Sequence, residues 1–144
     1  MPIEDDPGLR RILERDRHIA VLGIKNGPGD DAWRIPAYMQ QQGYTVVGIN
    51  PKLDEVLGAP CVPRLADLAE APDMIDVFRA SEHIAGHVEE ILALPVLPRS
   101  VWLQLGIRDD ASATRLEARG IEVVQDRCLL VEHRRLLAPG GSAG

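Results

Sequence analysis

Five short apolar runs recur along this 144-residue chain, and stretches with helical spacing separate them. The runs cover residues 19–24, 45–49, 74–78, 100–104 and 121–124. They are apolar at consecutive positions more than at alternate ones, the pattern of strands covered on both faces, as in a parallel sheet. Between them, a helix over residues 31–42 ends at Gly43, a residue that tolerates the left-handed turn that stops a helix. Residues 81–94 open on Ser81, suited to N-capping, and set Ile84, Val88, Ile91 and Leu92 on one face. Residues 109–119 start at Asp109 or Asp110 and stop before Gly120 by the same logic. A shorter helix is expected over residues 65–70, and another over residues 8–17 leads into the first strand. Strand–helix alternation at this spacing closes through right-handed crossovers. The expected fold class is α/β: a doubly wound five-stranded parallel sheet in three layers, α/β/α.

The length fits one domain, expected over residues 1–138, and a chain of this size buries roughly two thirds of its unfolded surface without staples. The tail, residues 139–144, offers little to pack and is expected to be disordered. Only Phe78, two Trp and two Tyr supply aromatic bulk, so the core is aliphatic. A formal net charge of −6 argues against a nucleic-acid or membrane-surface partner, because such binding needs a broad basic face. Cys61 and Cys128 match no metal spacing and no disulfide framework. No run approaches the ~20 apolar residues of a membrane span, and Glu4, Asp5 and Asp6 make an acidic start unlike a signal peptide. The expectation is a soluble protein of a reduced cytoplasm.

Ligands of open α/β sheets bind beyond the carboxyl ends of the strands. Here a cation follows each strand within a few residues: Lys25, Lys52, Arg79, Arg108 and Arg127. Lys25 and Lys52 are the only lysines in the chain. In an acidic protein, five cations on one rim point to a phosphate or pyrophosphate. Exposed loops also collect charge for no functional reason, and Arg108 and Arg127 have Asp109, Asp126 and Glu132 nearby as partners. The first loop, Gly23-Ile24-Lys25-Asn26-Gly27-Pro28-Gly29, brings backbone amides within reach of a phosphate. It is neither G-x-G-x-x-G nor a Walker A loop. The second strand ends in Asn50-Pro51-Lys52, where an NAD-binding domain usually carries an acid for the ribose hydroxyls. A neutral and a positive residue there suit a phosphorylated ribose better.

Catalytic candidates are few. His83 and His87 stand four apart on a helix without the glutamate of a zinc-protease motif or an evident third ligand. Cys128, beside Arg127, is the one candidate nucleophile, and His133 the one histidine close to it in sequence. The reading therefore assigns no catalytic and no metal-binding residue.

With the strand ends in view, the chain resembles the small stand-alone coenzyme A-binding proteins of the bacterial cytoplasm, which share a Rossmann-like fold with the CoA-binding domain of the succinyl-CoA synthetase alpha subunit. The resemblance runs from about Ile19 to about His133. It rests on Val21-Leu22-Gly23 with its loop, Ile49-Asn50-Pro51, Asp76-Val77-Phe78-Arg79, residues 101–107 (Val-Trp-Leu-Gln-Leu-Gly-Ile) and residues 126–133 (Asp-Arg-Cys-Leu-Leu-Val-Glu-His). It implies coenzyme A or an acyl-CoA as ligand, with the pyrophosphate on the first loop and Asn50, Pro51 and Lys52 near the adenosine. Phe78, Arg79, Gln104, Leu105 and Gly106 would line the groove toward the pantetheine. Relatives often carry Ser-Arg after the proline of the first loop, where this chain has Gly29-Asp30-Asp31; Arg34 is the cation on hand to replace that arginine. The resemblance covers the CoA-binding domain and not the phosphohistidine domain of the synthetase, so the ligase reaction is not implied.

The expected function is thus CoA or acyl-CoA binding without a complete catalytic site. The alternatives are an acyl-CoA-dependent enzyme using Cys128 or a partner, an NAD(P)- or nucleotide-binding domain, and a scaffold that has lost its ligand. A homodimer and a complex with an unknown protein partner are both compatible with the sequence.

Overall fold

The computed structural model describes residues 1–137, so the expectation for residues 139–144 lies outside the described residues. In chain order the elements are α1 (Asp6–Arg15), β1 (His18–Leu22), α2 (Asp31–Gln41), β2 (Thr45–Ile49) and a small hairpin of β3 (Glu55–Val56) and β4 (Ala59–Pro60). Then follow β5 (Met74–Val77), α3 (Ile84–Leu92), β6 (Ser100–Leu103), α4 (Asp110–Glu117), β7 (Glu122–Val124) and α5 (Leu129–Leu136). The five apolar runs form one sheet in the order β2-β1-β5-β6-β7, every pairing parallel. This is the Rossmann-like, three-layer α/β/α fold expected from the sequence.

Both faces of the sheet are covered, which is why the strands can be apolar throughout. Helices α1, α2 and α5 pack on one face through Leu9, Ile12, Leu13, Ile35, Met39, Leu129 and Leu136. On α1 the spacing 9, 12, 13 makes a single stripe, and all three residues are fully buried. The other face is covered by α3 and α4 through Ile84, Val88, Ile91, Ala113 and Leu116. Trp102 fills the centre of the first layer and donates its indole N–H to the Arg127 carbonyl at 2.8 Å, tying β6 to the turn before α5.

Four expectations change in detail. The first strand stops at Leu22 instead of residue 24, because Gly23 turns the chain at φ +88°. The expected helix at 81–94 begins as a 3-10 turn, Ser81–His83. Ser81 does not cap it; its hydroxyl accepts the Arg108 N–H at 3.0 Å. The expected helix at 65–70 is a single 3-10 turn, Leu65–Asp67, since one buried residue, Leu65, gives too little packing to extend it. The hairpin and α5 lie outside the sequence pattern altogether.

Strand order reverses between β1 and β5: β2 lies on one side of β1, while β5, β6 and β7 build out on the other. At this junction a Cβ on Gly23 would sit 2.6 Å from the Phe78 carbonyl oxygen. Glycine is required there twice over, for its positive φ and for the close approach of β5. Gly23→Ala is expected to cost about 2 kcal/mol or more, lowering Tm by roughly 4–8 °C for a chain of this size. Differential scanning calorimetry of the variant measures this, and an unchanged Tm would mean that the junction is not constrained.

Candidate functional site

At the amino edge of the sheet Asp16, Asp73 and Glu122 are each met by donors, while exposed Arg17 and Arg99 have no carboxylate partner among the described residues. The Asp73 carboxylate accepts the backbone N–H groups of Arg17 and His18, both at 3.1 Å. Fully buried Asp16 accepts from Ser100 Oγ at 2.7 Å and Arg15 Nε at 2.6 Å, and Arg15 also reaches Glu122 at 2.8 Å. At the carboxyl edge Lys25, Lys52 and Arg79 are exposed, and none pairs with a carboxylate among the described residues.

Two cavities open along that edge. The first, about 340 Å³, is lined by Ala32, Ile35, Gln104, Leu105, Ile107 and Cys128, with Asp30 and Asp31 at its side. The second, about 300 Å³, is lined by Gly23, Asn50, Pro51, Lys52, Arg64, His87 and Glu90. Lys25, Phe78 and Arg79 belong to both. The cavities therefore adjoin along the edge as the two ends of a groove, with these three shared residues at its waist, beside the point where strand order reverses.

Local sequence explains how the waist is built. Pro36 lies inside α2 and lacks the N–H that would donate to the Ala32 carbonyl one turn back. The Lys25 backbone N–H takes that acceptor at 3.2 Å, pinning the first loop to the helix. Asn50 pins the same loop from the other side: its Nδ2 donates to the Ile24 carbonyl and its Oδ1 accepts from Lys52 N, each at 2.8 Å.

Residues 17–134 match the model of the CoA binding domain family. The chain belongs to that family. It is 33% identical over 127 residues to the uncharacterized Bacillus subtilis protein YneT, a match covering 87% of this chain and 91% of that one. The solved structure of the cell-free protein ID.343 from Thermus thermophilus is 43% identical, covers 93% of this chain and 100% of its own, and superposes with a TM-score of 0.87. A hypothetical protein from Pyrococcus horikoshii, 31% identical, covers 96% of this chain and 97% of its own, also with a TM-score of 0.87.

In this CoA binding domain the sequence-expected site residues divide into two sets. Gly23, Lys25, Asn50, Pro51, Lys52, Phe78, Arg79 and Gln104 line the groove. The others do not. Ile24 is fully buried in the core. Asn26, Gly27 and Gly29 stand in the loop away from both cavities, and a Cβ on either glycine would meet nothing within 4 Å. Arg34 pairs with Asp31 at 2.9 Å instead of turning toward the groove. Gly106 donates its N–H to Asp126. Arg127 pairs with Glu132 at 2.9 Å and donates to the Glu4 carbonyl, and Arg108 pairs with Asp110 at 3.1 Å. The rim of five cations thus reduces to three, joined at the second cavity by His87, Glu90 and Arg64, the last of these paired with Asp67 at 3.2 Å. Arg64 follows the small hairpin and no main strand, so no strand-end rule marks it. Lys25 and Lys52, neighbours across β1 and β2, flank the second cavity, whereas the reversal itself lies between β1 and β5.

Beneath the first cavity lies a buried polar link. Gln104 Nε2 donates to Asp76 Oδ1 at 2.6 Å, and Gln104 Oε1 accepts from Leu129 N at 3.3 Å, so β5, β6 and the start of α5 are joined. Asp76 is fully buried, and its second oxygen has no hydrogen-bond partner among the described residues. Burial pushes its carboxyl up to about 7, against the smaller lowering effect of the Gln104 hydrogen bond. With a folded-state pKa above the unfolded one, the contribution of Asp76 to stability is fully present below about pH 4. Stability is then lost as pH rises toward 7, on the order of a few kcal/mol. Asp76→Asn, which cannot ionise, escapes this loss. Its Tm relative to wild type is expected to rise by several degrees between pH 5 and pH 8, measured by thermal denaturation. A constant difference across that range would show that Asp76 ionises normally.

Proposed function

We propose that this chain binds coenzyme A or an acyl-CoA along the carboxyl-edge groove and carries no complete catalytic site of its own. The observation that carries the reading is the polarity of the groove in a member of the CoA binding domain family. One end carries Lys52, the waist holds Lys25 and Arg79, and the far end is lined by Ala32, Ile35, Leu105 and Ile107 beside Asp30 and Asp31. A phosphorylated nucleotide at one end and a long, weakly polar pantetheine at the other match that sequence of surfaces. The adenosine and its 3′-phosphate are assigned to Asn50, Pro51 and Lys52, the pyrophosphate to Lys25 and Arg79, and the pantetheine to Phe78 and Gln104.

Asp30 refines the placement of the pyrophosphate. Its carboxylate accepts the Ala32 N–H at 2.9 Å, the amide at the start of α2 that a phosphate would otherwise use. Phosphate is therefore favoured at the waist over the glycine-rich loop. Asp31 is paired with Arg34, which moderates the acidity of the departure at 29–31. NAD is disfavoured because β2 ends in Asn50 and Lys52, with no acid for a ribose diol.

A second reading, an acyl-CoA-dependent enzyme, draws on Cys128, which lines the first cavity. His133, the histidine close to it in sequence, is hydrogen-bonded through Nδ1 to the Tyr38 hydroxyl at 2.7 Å, and burial holds its pKa below the ordinary histidine value. Release of free CoA from acyl-CoAs, abolished by Cys128→Ala, would favour this reading over simple binding. Among the described residues no helix is long and apolar enough to cross a membrane, and the proposed setting is the cytoplasm.

Calorimetric titration with CoA and dephospho-CoA tests the binding reading. Wild type is expected to bind CoA at micromolar to millimolar Kd. Lys52→Ala loses about tenfold or more with CoA and much less with dephospho-CoA, which lacks the 3′-phosphate. Lys25→Ala loses affinity for both ligands alike. Neither variant changes Tm without ligand, because exposed loop charges add little to folding. Unchanged CoA affinity in both variants overturns the assignment.

A further inference from the structure

Arg79 is the one cation at the waist held by a side chain, and the manner of holding is informative. Its Nε lies 3.4 Å from His87 Nε2, and His87 Nδ1 lies 2.6 Å from Glu90 Oε1. An arginine only donates, so Nε2 of His87 accepts and carries no proton. Nδ1 then bears the ring proton and donates it to Glu90. That arrangement requires the imidazole to be neutral, in its Nδ1-protonated tautomer. His87 and Glu90 are three apart on α3, the spacing that sets two side chains on one face, and both line the second cavity. The His87 side chain is only 17% exposed, so the ring is held in place.

We propose that His87 and Glu90 are positioning residues that aim the Arg79 guanidinium at the phosphates of the CoA ligand; this rests on the binding reading above. Only Nε of Arg79 is used, and neither of its terminal nitrogens has a hydrogen-bond partner among the described residues. The two-pronged edge that grips phosphate oxygens is left free. A direct Arg79–Glu90 ion pair would hold the guanidinium equally well but cancel its charge at the groove. Interposing a neutral ring keeps the arginine oriented and the carboxylate at a distance. The gain comes from pre-ordering a side chain that otherwise loses rotamer freedom on binding.

Two measurements decide this. In the ligand-free protein, long-range ¹⁵N–¹H correlation of the histidine rings is expected to show His87 neutral with its proton on Nδ1. The Nε2-protonated tautomer, or a ring protonated on both nitrogens at neutral pH, overturns the proposal. In calorimetric titrations with CoA, H87A is expected to bind about threefold to tenfold more weakly than wild type. H87Q, which returns an acceptor oxygen to Arg79, recovers most of that loss. In an R79A background H87A costs nothing further, since its only effect passes through Arg79. An equal loss in both backgrounds, or no loss in either, shows that His87 does not act through Arg79. If wild type itself fails to bind CoA, the binding reading falls and takes the ligand half of this inference with it. The ring spectrum still reports independently whether the dyad holds Arg79.

Discussion

The close approach of β1 and β5 at Gly23 governs the architecture of the carboxyl edge. A parallel sheet covered on both faces has no spare surface, so a ligand site arises only where the covering helices part. They part where the strand order reverses, α2 leaving β1 toward one face and α3 leaving β5 toward the other. Gly23, at φ +88° with the Phe78 carbonyl where its side chain would be, allows the two strand ends to stay in contact while their chains diverge. Phe78, Arg79 and Lys25 follow directly from this junction, and they form the waist of the groove.

Around that junction the loops are fixed by unusual acceptors. The Ala32 carbonyl, freed by Pro36, receives the Lys25 N–H, and the Asn50 amide spans from the Ile24 carbonyl to Lys52 N. Both lysine-bearing loops are thus braced through their backbones, while the ammonium groups stay exposed and unpaired among the described residues. At the amino edge Asp16, Asp73 and Glu122 are each answered by donors. Lys25, Lys52 and Arg79 gathered beside two cavities, in a chain of net charge −6, are what a bound anion would compensate.

The main sheet was legible because burial on both faces makes its strands continuously apolar, a signal independent of what lies between them. Helix α5 was hidden because two of its buried positions are Glu132 and His133, which interrupt the apolar stripe. The hairpin was hidden because Leu57, not Asn, takes positive φ beside Gly58. At the site, a cation after a strand reads the same whether or not a carboxylate meets it. Arg127 and Arg108 are neutralised by Glu132, one turn into α5, and Asp110, the first residue of α4, while Lys25, Lys52 and Arg79 meet no carboxylate among the described residues. Asp76 reads as an interruption in a strand, and only the fold reveals that its carboxyl is sealed beneath the groove. His87 and Glu90 look like solvated helix residues until α3 is seen to border the second cavity.

Crystals of this protein grown with CoA test the central claim most directly. The density is expected to lie along the carboxyl edge, with the adenosine against Asn50, Pro51 and Lys52, the pyrophosphate at Lys25 and Arg79, and the pantetheine running past Phe78 and Gln104. CoA bound elsewhere, or lying in the groove with its ends reversed, would contradict the assignment of the groove.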